Sequence, residues 1–132
     1  MITEDYASFE TAKLLKEKGF DTDTEHDMWY VVENFSTGCH WNSCTYKVGD
    51  ITREYDEKCC IAMPTLQMAM KWLRKMYDLY IMLDFERPNC IEYKIYKYES
   101  ELAKRDLLHY NYEESYEEAC EEGIKYCLKN LI

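Results

Sequence analysis

Pro64-Thr65-Leu66-Gln67-Met68-Ala69-Met70-Lys71-Trp72-Leu73-Arg74-Lys75-Met76-Tyr77, followed after Asp78 by Leu79-Tyr80-Ile81-Met82-Leu83-Asp84-Phe85, is the stretch that decides the fold class. In its first part Leu66, Ala69, Met70, Leu73, Met76 and Tyr77 recur at spacings of three and four, which places them on one helical stripe. Its second part is apolar at nearly every position, the pattern of a strand buried on both faces in the middle of a sheet. Just upstream, Cys59 to Ala62 reads as a short buried strand. Pro64 suits the opening turn of a helix, where its missing N–H has no partner to lose. A helix set between strands points to an α+β fold, and the expectation is a single α+β domain over residues 1–132. Its mostly antiparallel sheet would be covered by three helices, mainly on one face.

The two other helices announce themselves through their ends. Ser8 precedes Phe9 to Lys18, with Glu10 in the first turn, lysines in the last and Gly19 where a helix stops. Phe20 after that glycine is placed to fold back on the helix, with Phe9, Ala12 and Leu15 or Leu14 buried. Ser115 followed three residues later by Glu118 is a capping box. Behind it Tyr116, Ala119, Cys120, Ile124, Cys127, Leu128 and Leu131 form a stripe, and Gly123 leaves room for a close approach.

Strands fill the space between. Met28 to Val32 is aromatic and β-branched, and short strands at Thr45 to Val48 and Ile51 to Tyr55 are expected between turn signals at Gly38, Asn42-Ser43 and Gly49-Asp50. Ile91 to Tyr98 alternates, with Ile91, Tyr93 and Ile95 on the face that should turn inward. Leu107 to Tyr112 offers its hairpin partner, Leu108, Tyr110 and Tyr112 sharing a face. A helix beginning at Glu101 competes with that hairpin.

Composition restricts the function classes. The chain has 132 residues and a formal net charge of −10, which disfavours binding to a phosphate backbone, since such binding works by lysines and arginines displacing counterions. The acid sits at both ends, with nine acids against three bases in residues 1–34 and nine against four in residues 99–132. Residues 64–98 reverse the balance with six bases against four acids. No charged and apolar leader opens the chain and no apolar run is long enough to span a bilayer, so a cytoplasmic location without membrane contact is expected. The seven cysteines then read as reduced thiols.

The motifs carry little chemistry. Asp21 to Asp27 alternates acids as a calcium loop does, but His26 stands where that loop needs glycine and Val32 where it needs a bidentate glutamate. Cys39, His40, Cys44, Cys59 and Cys60 are the one metal-like grouping. Four residues separate Cys39 from Cys44, the upper limit of the spacing one zinc loop commonly presents, and adjacent Cys59 and Cys60 point apart in an extended chain. Ordinary thiols are the expectation, with a small zinc- or thiol-dependent enzyme on those five residues as the alternative. His26, His40 and His109 have no glycine-rich elbow or other nucleophile frame beside them, and no phosphate loop, dinucleotide fingerprint or other cofactor signature is present. Cys120 and Cys127, seven apart on an apolar stripe, read as core.

Ser8 to Phe20, Pro64 to Arg74 and Ser115 to Leu128 together resemble a group of small uncharacterised proteins of gut Bacteroides-type bacteria, their phages and mobile elements. The resemblance covers about a third of the chain and brings no activity or ligand with it; it implies a bacterial or phage setting and an accessory role. The functional expectation is a small acidic accessory protein, adaptor or inhibitor, acting by protein–protein contact. Met68, Lys71, Trp72, Arg74 and Lys75, a basic and adaptable spot on the central helix, are its candidate partner contacts.

Overall fold

The structure, a computed structural model, describes residue 2 and residues 5–20, 28–35, 38–45 and 60–132. The chain is α+β, with helices and antiparallel sheets. It divides into two compact units, one of residues 6–64 and one of residues 1–5 with 65–132.

In the unit of residues 6–64, helix α1 (Phe9–Glu17) begins where Ser8 accepts from the Thr11 amide at 3.3 Å. It ends where Gly19 takes a φ of 87°, a left-handed turn that glycine enters at no steric cost. The Phe20 amide then reaches back to the Leu15 carbonyl at 2.9 Å, and the Phe20 ring is buried. Thr11, Ala12 and Leu15 form the inner stripe. Strands β1 (Met28–Phe35), β2 (Gly38–Thr45) and β3 (Cys60–Ala62) make an antiparallel sheet in the order β2-β1-β3, with α1 against β3. Asn42 and Ser43, expected to break the chain, lie mid-strand opposite Val31 and Tyr30, because pairing along the whole hairpin overrides their local turn preference. Residues 21–27 and 46–59, including the expected acidic turn and the expected strand Ile51 to Tyr55, lie outside the described residues.

The other unit contains α2 (Leu66–Tyr77), β4 (Leu79–Arg87), β5 (Cys90–Glu99), β6 (Lys104–Glu113) and α3 (Tyr116–Tyr126), which continues into a π-helical turn at Cys127–Leu131. Helix α2 starts one residue after Pro64–Thr65: the Thr65 hydroxyl accepts from the Met68 amide at 3.1 Å, so threonine caps and proline precedes the cap. Leu66, Ala69, Met70 and Leu73 are buried as the spacing requires. Met76, assigned to the same stripe from sequence, is 62% exposed. Asp78 ends the helix in the left-handed region at φ 55° and sends the chain straight into β4.

Strands β4, β5 and β6 form a meander, with β5 in the centre. Ile81, Ile95 and His109 align across it, as do Leu83, Tyr93 and Asn111. The turn at residues 100–103 is short, with Ala103 at φ 47°, so the hairpin prevails over a helix from Glu101. Helix α3 starts where Ser115 accepts from the Glu118 amide at 3.1 Å and lies over all three strands, with α2 beside it on β4. Ile91, Tyr93 and Ile95 are buried beneath the helices, as their alternation indicated. A Cβ on Gly123 would stand 3.1 Å from Ile81 Cγ2 and 3.4 Å from Tyr93 Cδ2, so the glycine is what lets helix and sheet approach. The apolar run Leu79–Phe85 corrects the sequence reading: among the described residues it is an edge strand, with Met82 and Phe85 exposed.

Candidate protein-contact face

Alternation along a strand sends successive side chains to opposite faces, so once α2 and α3 cover one side of the meander, the residues of the other side are determined. Register places Tyr80, Tyr96 and Leu107 in one row across it, then Met82, Lys94 and Tyr110, then Asp84, Glu92 and Tyr112. Tyr98 and Arg105 form the row at the far end. Among the described residues, none of these rows lies under a helix. Tyr110 is 57% exposed, Leu107 49%, Tyr112 46% and Met82 45%, which makes a contiguous apolar and aromatic surface of the kind that marks an interaction site.

The face is also ordered. Tyr80 and Tyr98 meet edge to face at 4.6 Å, and the Arg105 guanidinium lies 4.5 Å over the Tyr96 ring while its Nη1 reaches Met82 Sδ at 3.8 Å. Aromatic rings held this way lose little rotamer freedom on binding, and arginine stacked on tyrosine keeps its remaining donors for a partner. At the other end Glu92 is buried although it faces outward. Tyr112 donates a hydrogen bond to its carboxylate and Lys94 Nζ lies 3.0 Å from Oε1.

Those two contacts hold the Glu92 carboxyl below the usual range, the tyrosine hydrogen bond being the largest single cause, and the same hydrogen bond together with desolvation pushes the Tyr112 hydroxyl up to about 12. A carboxyl with a lowered folded value contributes stability above its unfolded value and loses it as pH falls through the folded one. Tyr112→Phe is expected to move the Glu92 titration, followed by carboxyl-carbon NMR, upward toward the ordinary carboxylate range and to shrink the acid-dependent part of the stability. An unmoved titration would show that Tyr112 is not the donor.

Part of this face is absent from the sequence reading. The alternation groups Leu108 with Tyr110 and Tyr112, whereas in the structure Leu107 is the residue that shares the open face with those two tyrosines. A bulge causes the change: Tyr96 faces Leu107 and Ile95 faces His109, so Leu108 has no opposite residue and the alternation of β6 changes phase. The inward residues of β6 are therefore His109, Asn111 and Glu113. His109 stacks on Tyr126 at 3.6 Å and is tilted against Tyr93 at 5.8 Å, beside an open cleft of about 320 Å³ that Glu122 and Lys125, paired at 3.3 Å, also line.

The residues expected at a site take these places. On α2, Lys71 and Lys75 are exposed and Met68, Trp72 and Arg74 half-buried, with the Trp72 ring 5.3 Å from that of Tyr77. Cys39 and Cys44 occupy positions of opposite parity in β2, opposite Asn34 and Trp29, and His40 stands opposite Glu33. Cys60 is opposite Val31 in β1. The side chains of Cys39, His40, Cys44 and Cys60, and all of Cys59, lie outside the described residues. Burial pushes the Cys120 thiol up to about 11 and the Cys127 thiol to about 12, so both stay protonated core groups rather than nucleophiles. Among the described residues no three His, Cys, Asp or Glu side chains gather as a metal site, and no helix is long and apolar enough to cross a membrane. Comparison with protein-family models, with curated proteins and with solved structures finds nothing that matches the chain.

Proposed function

We propose that this chain is a small acidic interaction protein, an adaptor or inhibitor that works by contact with another protein in a bacterial cytoplasm, carried by a phage or mobile element. The observation that supports it best is the open, aromatic-rich face of the β4-β5-β6 sheet. Tyrosine and arginine are the residues that anchor interfaces, and here they are clustered, ordered and exposed. A net charge of −10 steers such a face toward a basic protein surface and away from nucleic acid, whose phosphates it would repel. Lys94 is already paired with Glu92 and Arg105 stacked on Tyr96, which leaves the face without the basic track that single-stranded nucleic acid follows.

The test is retention from Bacteroides-type cell lysate at modest salt on three immobilised forms: the natural chain, a face variant (Leu107→Ser with Tyr110→Ser) and a helix variant (Lys71→Glu with Lys75→Glu). A protein retained by the first and third but lost at least tenfold from the second is the expected result. Loss from the helix variant alone would move the contact to α2. Retention of nothing by the natural chain would sink the reading.

A further inference from the structure

Strand β4 has the composition of an interior strand and the position of an edge strand. Leu79-Tyr80-Ile81-Met82-Leu83 carries no lysine, proline or inward-pointing charge, the devices that keep exposed edges from pairing, and among the described residues only β5 lies beside it. Phe85 is 61% exposed on the helix-covered side and Met82 45% exposed on the open side, so apolar surface is uncovered on both faces of the same edge.

We propose that a second copy of this chain occupies the edge, its β4 running antiparallel to the first across a two-fold axis at Leu83, so that two three-stranded sheets become one of six strands. The strand is self-complementary in this register. Ile81 meets Phe85 on the helix-covered side and Met82 meets Asp84 on the open side, up to the bulge that follows Phe85, beyond which Glu86 and Arg87 leave this register. The regular part of the strand, residues 81–85, is used, and no like charges face each other there. Moving the axis to Asp84 would set that carboxylate against its own copy. An isologous contact of this kind closes on itself, which caps the assembly at two chains and turns β4 into the interior strand that its composition describes. The inference goes beyond the contact face proposed above: it rests on the edge of the sheet, and it would set two open faces side by side on one surface.

Sedimentation velocity on the full chain tests it. With a net charge of −10 on each copy, a dimer is expected that tightens as salt rises to about 0.5 M and screens the repulsion. Met82→Glu, which faces Asp84 twice across the axis, is expected to weaken the dimer by roughly three- to thirtyfold, and Met82→Lys to tighten it in similar measure. The same two changes at Leu107, on the far strand of the sheet, are expected to do much less. Leu83→Cys is expected to give an inter-chain disulfide under mild oxidation, beyond any background of the natural chain. A natural chain that stays monomeric at about 100 µM in high salt overturns the proposal, as does a dimer equally sensitive at Met82 and Leu107 or one that Leu83→Cys fails to cross-link. A monomer whose face variant still loses its partner would leave the contact face standing, whereas a dimer with no such loss would remove the face and keep the edge.

Discussion

Gly123→Leu is expected to destabilise the β4-β5-β6 unit by roughly 2–3 kcal/mol, lowering its thermal midpoint by about 10–20 °C. A Cβ alone would stand 3.1 Å from Ile81 Cγ2 and 3.4 Å from Tyr93 Cδ2. The tyrosine has little room to retreat. Tyr93 is 3% exposed, and Ile95 and Ile91 beside it on β5 are sealed beneath the helices. An isobutyl group at that point must lift α3 from the sheet or drive side chains from their rotamers, and both lose contacts along the whole helix. Gly123→Ala separates the two terms: its gain in helix propensity of about 1 kcal/mol opposes the cost of one tight contact, so its net effect is expected to be small. Circular dichroism melts of the two variants check this. A leucine variant that melts with the natural chain would show that helix and sheet are not in close contact there.

What was legible in the sequence divides by range. The caps at Ser8, Gly19 and Ser115 act within four residues of themselves, so the chain near them contains the whole cause, and the structure returns α1 and the start of α3 as read. The inward face of β5 was equally plain, because a central strand covered on one side must alternate. Position within a sheet is a different matter. Leu79–Phe85 has an interior composition at an edge, and no property of the run itself states how many neighbours it has. The phase of β6 depends on one bulge at Leu108, and a shift of one residue exchanges its faces, which is why simple alternation groups Leu108, and not Leu107, with Tyr110 and Tyr112. The candidate face inherits both difficulties. It is assembled from three strands, and its rows appear only when all three registers are known. By contrast, Met68, Lys71, Trp72, Arg74 and Lys75 stood out early because they lie within one helix.

Adjacent residues on β5 are expected to fail in opposite ways. Ile95→Ala removes a side chain with 0% exposure between α3 and the sheet, and a truncation of that kind costs about 2–5 kcal/mol, the lost transfer energy plus the cavity left behind. Close packing of Ile95 among Ile81 and His109 on either side argues for incomplete collapse and a value in the upper half of that range. Tyr96→Ala, one residue on, deletes a half-buried ring on the open face, where water replaces it and only the Arg105 stacking and local packing are lost. Its stability is expected to stay within about 1 kcal/mol of the natural chain. Partner retention should follow the reverse order: Ile95→Ala keeps its binding at a temperature where it remains folded, while Tyr96→Ala loses at least tenfold through the missing anchor and the released arginine. Denaturant titration paired with the retention assay measures both quantities on the same samples. Equal stability losses at the two positions would mean that the outer face is covered in solution, and full retention by a folded Tyr96→Ala would place the partner contact elsewhere on the molecule.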